Sequence, residues 1–287
     1  MSPRRKATVF GGRRGEGDGA GPHDLEQGAR AHFSDPGYYT SAYCRRSEDV
    51  DYYLAAAVAH RGPVLEYGCG NGRIALPIAR LGVEITGVDQ SPNMLDDLRR
   101  KLREERSDVR RRVTVRRGDM RSVRLTSRFG LVLCTFNTLL HLYTRRDVER
   151  FLSRVRSHLR PRGWFVFDVS VPDPNELDRD PNRAYHSPRF RHATIGEVVR
   201  YTEQFDYDPL RQTLNVEMRF EPKAHPERAW TTPLTHRQFY PQELEALLHY
   251  NGLSVEELHG DFTQSPPDQL SDTLIYWCRL RRGFKAR

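Results

Sequence analysis

The sequence predicts an α/β fold: a mostly parallel sheet with helices on both faces, interrupted late in the chain by an inserted antiparallel β lid. Three observations carry this prediction. Strand-like apolar runs alternate with helix-like segments five times across residues 62–169, a rhythm that demands right-handed crossovers and a parallel sheet. The first run ends in three alternating glycines, Gly68, Gly70 and Gly72. Polar groups close all of the runs: Glu66, Asp89, Asp119, Asn137 with His141, and Asp168. Nothing in buried-sheet packing calls for acids there, whereas parallel sheets bind ligands at the carboxyl ends of their strands.

The first strand, residues 64–67, rises from a Gly62-Pro63 breaker, and residues 74–81 beyond the glycines have the period of a helix packed on a sheet. Strand, glycine turn and helix bring backbone and a helix N-terminus close to a ligand. Residues 83–89 read as the second strand. A helix then follows to position 106, with Ser91 as its N-cap and Pro92 as its first residue. Residues 113–117 form the third strand and deliver Asp119 and Met120. The fourth, 129–136, is apolar throughout and therefore buried on both faces. A helix over 145–159 closes at Pro161-Arg162-Gly163, and 164–169 is the fifth strand.

Beyond it the texture changes. Pro172, Pro174, Pro181 and Pro188 interrupt the chain, after which 197–208 and 212–220 alternate apolar and polar residues around a turn at Asp208-Pro209-Leu210-Arg211. With a third strand over 234–239, residues 172–238 are expected to form the lid over the substrate, or else a surface for a homodimer. The core resumes over 239–287 with a helix that opens at Pro241 and closes at Asn251-Gly252, then two strands at the sheet edge. Gly260-Asp261-Phe262 between those strands is expected to border the substrate pocket. At the other end, residues 1–30 are rich in Arg and Gly and read as a disordered tail. The core then spans 31–171, beginning with an aromatic segment in which Tyr39 and Tyr43 are candidates to cover a ligand.

Composition narrows the function. The chain has 287 residues and a net charge of +8. No stretch reaches the roughly 18 apolar residues of a membrane span, and the start lacks the apolar run of a secretory signal, so a cytoplasmic protein is expected. Cys44, Cys69, Cys134 and Cys278 are scattered without a C-x-x-C pair, which argues against disulfides and metal. The densest basic cluster, Arg99–Arg117, is interleaved with acids and lacks aromatics, so nucleic acid is a minority reading.

The ligand follows from the turn. A dinucleotide fingerprint has its third glycine three positions after the second, whereas here the spacing is Gly68-x-Gly70-x-Gly72. The acid at Glu66 repels a pyrophosphate but suits an ammonium or sulfonium. Asp89 is placed to accept hydrogen bonds from ribose hydroxyls, and Asp119 with Met120 suits an adenine. Together they outline a nucleoside with a cationic amino-acid arm.

On residues 64–72, 87–95 and 118–120 the sequence resembles the class I S-adenosylmethionine-dependent methyltransferases. The likeness covers about 62–169 and mildly departs from the usual pattern at Asn71, where threonine is common. It implies a Rossmann-like seven-stranded sheet and S-adenosyl-L-methionine as cofactor. By the same resemblance Glu66, Gly68, Gly70 and Gly72 would hold the methionine arm, Asp89 the ribose, Asp119 and Met120 the adenine, with Phe136 and Asn137 beside the sulfonium. His141, close to where an acceptor arrives, is the candidate general base. His236 and Tyr240 are candidates to reach the pocket from the lid. A small-molecule N- or O-acceptor is expected, with nitrogen preferred. An RNA or protein methyltransferase using the Arg99–Arg117 face, and a non-catalytic cofactor-binding or partner subunit, are the alternatives.

Overall fold

The computed structural model describes residues 22–60 and 62–284. In chain order its strands are β1 (Val64–Tyr67), β2 (Ile85–Asp89), β3 (Val113–Arg117), β4 (Phe129–Cys134), β5 (Leu159–Ser170), β6 (Tyr185–Arg191), β7 (Val198–Asp208), β8 (Thr213–Pro222), β9 (Trp230–Arg237), β10 (Leu253–His259) and β11 (Thr273–Leu280). The α-helices are α1 (Pro22–His32), α2 (Pro36–Tyr43), α3 (Glu48–Ala59), α4 (Ala75–Arg80), α5 (Pro92–Glu104), α6 (Ser107–Arg112), α7 (Arg145–His158), α8 (Pro174–Leu177) and α9 (Pro241–Tyr250).

The main sheet has seven strands in the order β10-β11-β5-β4-β1-β2-β3. Strand β1 pairs in parallel with β2 and β4, and β4 in parallel with β5. Only β11 runs against its neighbours, antiparallel to both β5 and β10. The apolar runs explain the layering. On one face Phe165, Phe167 and Tyr276 share a core with Phe151 of α7 and Leu244 of α9. On the other, Val166 and Trp277 share a core with Tyr53 and Ala57 of α3 and Ile78 of α4. Helix α5 starts as expected, Ser91 Oγ accepting from Met94 N at 3.4 Å, but ends at Glu104, and Ser107–Arg112 form a separate helix.

The inserted sheet is antiparallel, in the order β6-β7-β8-β9. Its β7–β8 turn is the expected one: the Asp208 carboxylate accepts from Leu210 N and Arg211 N at 2.9 and 3.0 Å. Strand β6 was not legible, because Pro188 and a bulge between Ser187 and Phe190 interrupt its alternation. Strand β9 begins at Trp230 rather than 234, since Thr231, Thr232 and Pro233 mask its period. Strand β5 likewise begins at Leu159, absorbing the Pro161-Arg162-Gly163 break in a register shift against β4.

The tail expected over 1–30 is corrected in part. Its last third belongs to α1, which packs along β9, with Gly28 close enough to Thr235 and Pro233 that a Cβ would touch them. Residues 1–21 lie outside the described residues. Helices α1 and α2 thus lie against the inserted sheet, and Tyr38 stacks on His192 at a centroid distance of 5.0 Å. Part of the surface expected for a homodimer is therefore covered by this chain's own helices. In the Arg99–Arg117 cluster, Arg99, Arg100, Lys101, Arg106 and Arg112 pair with Asp96, Asp97, Glu104 and Asp108.

Candidate active site

The turn after β1 is held by three left-handed glycines, Gly68, Gly70 and Gly72, with φ of 68°, 51° and 84°. They serve different ends. A Cβ at Gly68 would overlap the Thr138 side chain, and one at Gly72 would overlap Leu98 on α5. Gly72 is thus a packing glycine, and it is not on the cavity wall. At Gly70 only Met94 Cε, 3.1 Å away, would meet a Cβ, and the Gly70 N–H donates to Asp89 Oδ2 at 2.8 Å.

Beside this turn lies a cleft whose empty space, open solvent included, is about 1050 Å³. Glu66, Gly68, Gly70, Asp89, Asp119, Met120, Phe136, His141 and Tyr39 share its wall. The structure adds residues the sequence did not point to: Glu26, Arg30 and Phe33 from α1 and the turn after it, Arg73, and Thr135. Helix α1 was hidden because its one large apolar residue, Leu25, gives no readable period.

Other expected residues stand elsewhere. Asn137 turns its side chain to Ser170: Nδ2 donates to Ser170 Oγ at 2.9 Å and Oδ1 accepts from Ser170 N at 2.7 Å. It is a backbone staple, not a wall residue. Tyr43 stands behind Phe136, their ring centroids 4.9 Å apart. His236 stands behind His141 at 5.1 Å. Tyr240 is 43% exposed, at the N-cap of α9 and not on the wall. Phe262 packs on Tyr52 and Tyr53 and does not border the cavity. Asp261 is spent on its own turn, accepting from Thr263 N and Ser265 N.

Asp168, read from the sequence as a strand-end acid, is a clamp. It accepts from Tyr53 Oη at 2.5 Å, Phe136 N at 2.7 Å and Asn137 N at 3.2 Å. Phe136 and Asn137 need it, because both are left-handed, with φ of 55° and 60°. The clamp sets the Phe136 ring on the cavity wall, where the Arg73 guanidinium lies 4.7 Å from its centroid. Arg73 is fixed in turn by two hydrogen bonds to the buried Asp49 carboxylate, at 2.9 and 2.5 Å.

Electrostatically the wall is uneven. Glu66 is 1% exposed; Oε1 accepts from Thr135 Oγ1 at 3.2 Å, while Oε2 has no partner. Burial pushes its carboxyl up to about 8. Asp89 is also raised by burial, against hydrogen bonds from Ser91 N and Gly70 N that favour its charge. Asp119 is lowered by Arg121, whose guanidinium grips both its oxygens and also reaches Glu26 at 2.6 Å. His141 is pushed well below the usual histidine range by burial, and Nδ1 lacks a partner. It is therefore a neutral imidazole at pH 7.

These features fit S-adenosylmethionine. A buried carboxylate oxygen with no partner needs a cationic donor, and the open face of Gly70 lets a ligand approach the backbone. Asp89 stands at the tip of the neighbouring strand.

Comparison with known proteins agrees. A family profile described as a methyltransferase domain matches residues 64–163. A dTDP-3-amino-3,4,6-trideoxy-alpha-D-glucopyranose N,N-dimethyltransferase of Streptomyces venezuelae is 24% identical over 168 residues, 54% of this chain and 68% of that protein. The CcbJ methyltransferase of Streptomyces caelestis superposes with a TM-score of 0.73 at 26% identity, over 88% of this chain and 99% of that one. CalS10, an amino pentose methyltransferase from Micromonospora echinaspora solved with S-adenosylmethionine bound, shares the fold at a TM-score of 0.63 and 21% identity, over 84% and 96%. Sheet order, acid-led glycine turn and profile match converge: residues 64–163 match a methyltransferase domain, and the chain is similar over most of its length to S-adenosylmethionine-dependent methyltransferases.

Proposed function

We propose that this enzyme methylates a nitrogen or oxygen of a small-molecule acceptor. The observation that carries the reading is the walling of the cavity: α1, which itself packs along β9, α2 and the Phe136 turn line it, a shape suited to a compact acceptor. The three proteins compared above include an aminosugar and an amino pentose methyltransferase, which supports a small acceptor. The paired acids of the Arg99–Arg117 face leave less free charge for RNA.

When bound, S-adenosylmethionine supplies a methyl group activated on a cationic sulfur. Glu66 would anchor the ammonium of the methionine arm, Asp89 the ribose hydroxyls, and Met120 one face of the adenine. Asp119, already bound by Arg121, would accept from the adenine edge with its remaining lone pairs. Phe136 and Tyr39 exclude water from the acceptor's approach, where alignment supplies most of the acceleration. His141 Nδ1 is free to take a proton from the acceptor. The inserted residues 172–238 would act as the lid.

A screen of amines, phenols and small acids with methyl-labelled cofactor, read by mass, tests this. Incorporation into at least one small acceptor is expected. Labelling confined to RNA or protein would overturn it.

A further inference from the structure

Three histidines come together where α1 meets the inserted sheet. His32 closes α1, His141 closes the turn Thr138–His141, and His236 lies on β9. Ring contacts link them and place them at the cavity. His141 and Phe33 are both on the cavity wall. His236 packs on His141 at a centroid distance of 5.1 Å, Phe33 on His141 at 5.4 Å, and His32 on Phe33 at 4.9 Å. The dock of α1 on β9 begins one residue from His236, where Gly28 meets Thr235.

The cluster is built for neutral rings. Among the described residues no carboxylate pairs with any of the three. His32 is 4% exposed; its Nε2 meets the Tyr43 hydroxyl at 3.4 Å, and its Nδ1 has no partner. His141 Nδ1 lacks one as well. The ionisable groups of the neighbouring elements are engaged elsewhere. On α1, Glu26 pairs with Arg121 and Arg30. On β9, Arg237 pairs with Glu243, and β8 sets the aliphatic Leu214 opposite His236. Tyr143 spends its hydroxyl on the carbonyls of Leu25 and Thr235. From α2 come the phenols of Tyr39 and Tyr43, kept protonated by burial. On the cavity wall Arg73 pairs with Asp49, and Glu66 is itself mostly protonated at pH 7. In the cleft that His32 shares with the inserted sheet, Asp35 accepts from Tyr38 N and Thr194 Oγ1, Arg228 pairs with Glu197, and His192 is lowered by burial too. A proton gained here would make a buried cation with nothing to neutralise it.

We propose that this cluster, through His32 and His236, is an acid latch on the cofactor. When either ring takes up a proton, α1 leaves β9, the cavity loses the wall that carries Glu26, Arg30 and Phe33, and the cofactor is released. The latch concerns this wall and not the acceptor, so it holds for a nitrogen or an oxygen acceptor alike.

Burial lowers His32 and His236 from the ordinary 6.5 to about 4 each. A histidine lowered in the docked state leaves docking undisturbed above pH 6.5 and weakens it as pH falls through 6.5 towards 4. For one ring that regains its ordinary value on release, the docking equilibrium shifts by about fourfold at pH 6 and about thirtyfold at pH 5.

The test titrates the full chain with S-adenosylhomocysteine by calorimetry between pH 8 and pH 5, in a Glu66→Gln background that removes the proton of that carboxyl. Affinity is expected to hold level down to about pH 6.5 and to fall about tenfold or more by pH 5. His32→Phe with His236→Phe, rings that take no proton, should remove most of the fall. His32→Gln with His236→Gln should do the same if the phenyl rings do not pack. A spin label at Arg30→Cys in a Cys44→Ser chain should become mobile over the same pH range while the circular dichroism of the sheets stays constant. An acid fall of full size in both double variants, a label that stays immobile at pH 5, or loss of the sheet signal together with release of the label would overturn the inference. Absence of binding by the native chain at pH 8 would overturn it together with the reading of this cavity as the cofactor site.

Discussion

Glu66 shows how a single residue can couple ligand binding to protons. With the site empty its carboxyl is raised to about 8, so it is mostly protonated at pH 7. A cation seated on Oε2 favours the carboxylate, and the proton must leave. Cofactor affinity is therefore expected to rise with pH and level off above about 8, with up to one proton released near neutrality. Calorimetry in buffers of different ionisation heat measures that proton. Glu66→Gln should remove the pH dependence and weaken binding by about tenfold or more at high pH. The same shift acts on stability. A carboxyl raised above its unfolded value of 4.5 stabilises the fold fully below that pH, and this contribution is lost as pH rises through about 8. Melting curves should thus favour Glu66→Gln over the native chain more at pH 9 than at pH 5. Asp89→Ala should also weaken cofactor binding by about tenfold or more, since it removes the ribose acceptor and frees the Gly70 N–H.

Residues at the tips of apolar strands were legible for a physical reason: an acid that ends a buried run has few structural excuses. Glu66, Gly70 and Asp89 reach the cavity in this way. The rule misleads when the backbone itself is the client. Asn137 ends an apolar run too, yet its amide holds Ser170. Arg73 was hidden because it lies in the turn before α4 and its partner, Asp49, sits 24 residues earlier on α3.

At the scale of elements, the turn after β4 depends on a clamp from β5. Two successive left-handed residues cost about 1–2 kcal/mol each, and Asp168 holds them by accepting both N–H groups. Asp168→Ala should destabilise the fold by about 2–4 kcal/mol, because it leaves buried donors and the Tyr53 hydroxyl unmatched. Chemical denaturation measures this, and turnover should fall further than cofactor affinity because Phe136 loses its place. Strands with unbroken periods, such as β4 and β7, were readable from sequence. Strand β6 was not, since its pairing depends on β7 rather than on its own alternation.

At the scale of the molecule, the cavity is completed by α1, a segment whose composition reads as tail. It is a helix because β9 gives it a surface, with Leu25 buried and Tyr143 Oη bonded to the carbonyls of both Leu25 and Thr235, at 3.2 and 3.1 Å. Such a helix has no stability apart from its dock. Removing residues 1–32 should leave the circular dichroism of the sheets intact but weaken cofactor binding by about tenfold or more, as calorimetry would show.

Glu26 joins α1 to Arg121, and so to Asp119, on the cavity wall. This bond also bears on the clock of the enzyme. Exchange of spent for fresh cofactor is expected to wait on the opening of this contact, so that residence time, rather than chemistry, caps steady turnover. Rapid-mixing experiments should show a first methylation faster than those that follow, and Glu26→Gln should shorten the wait between them.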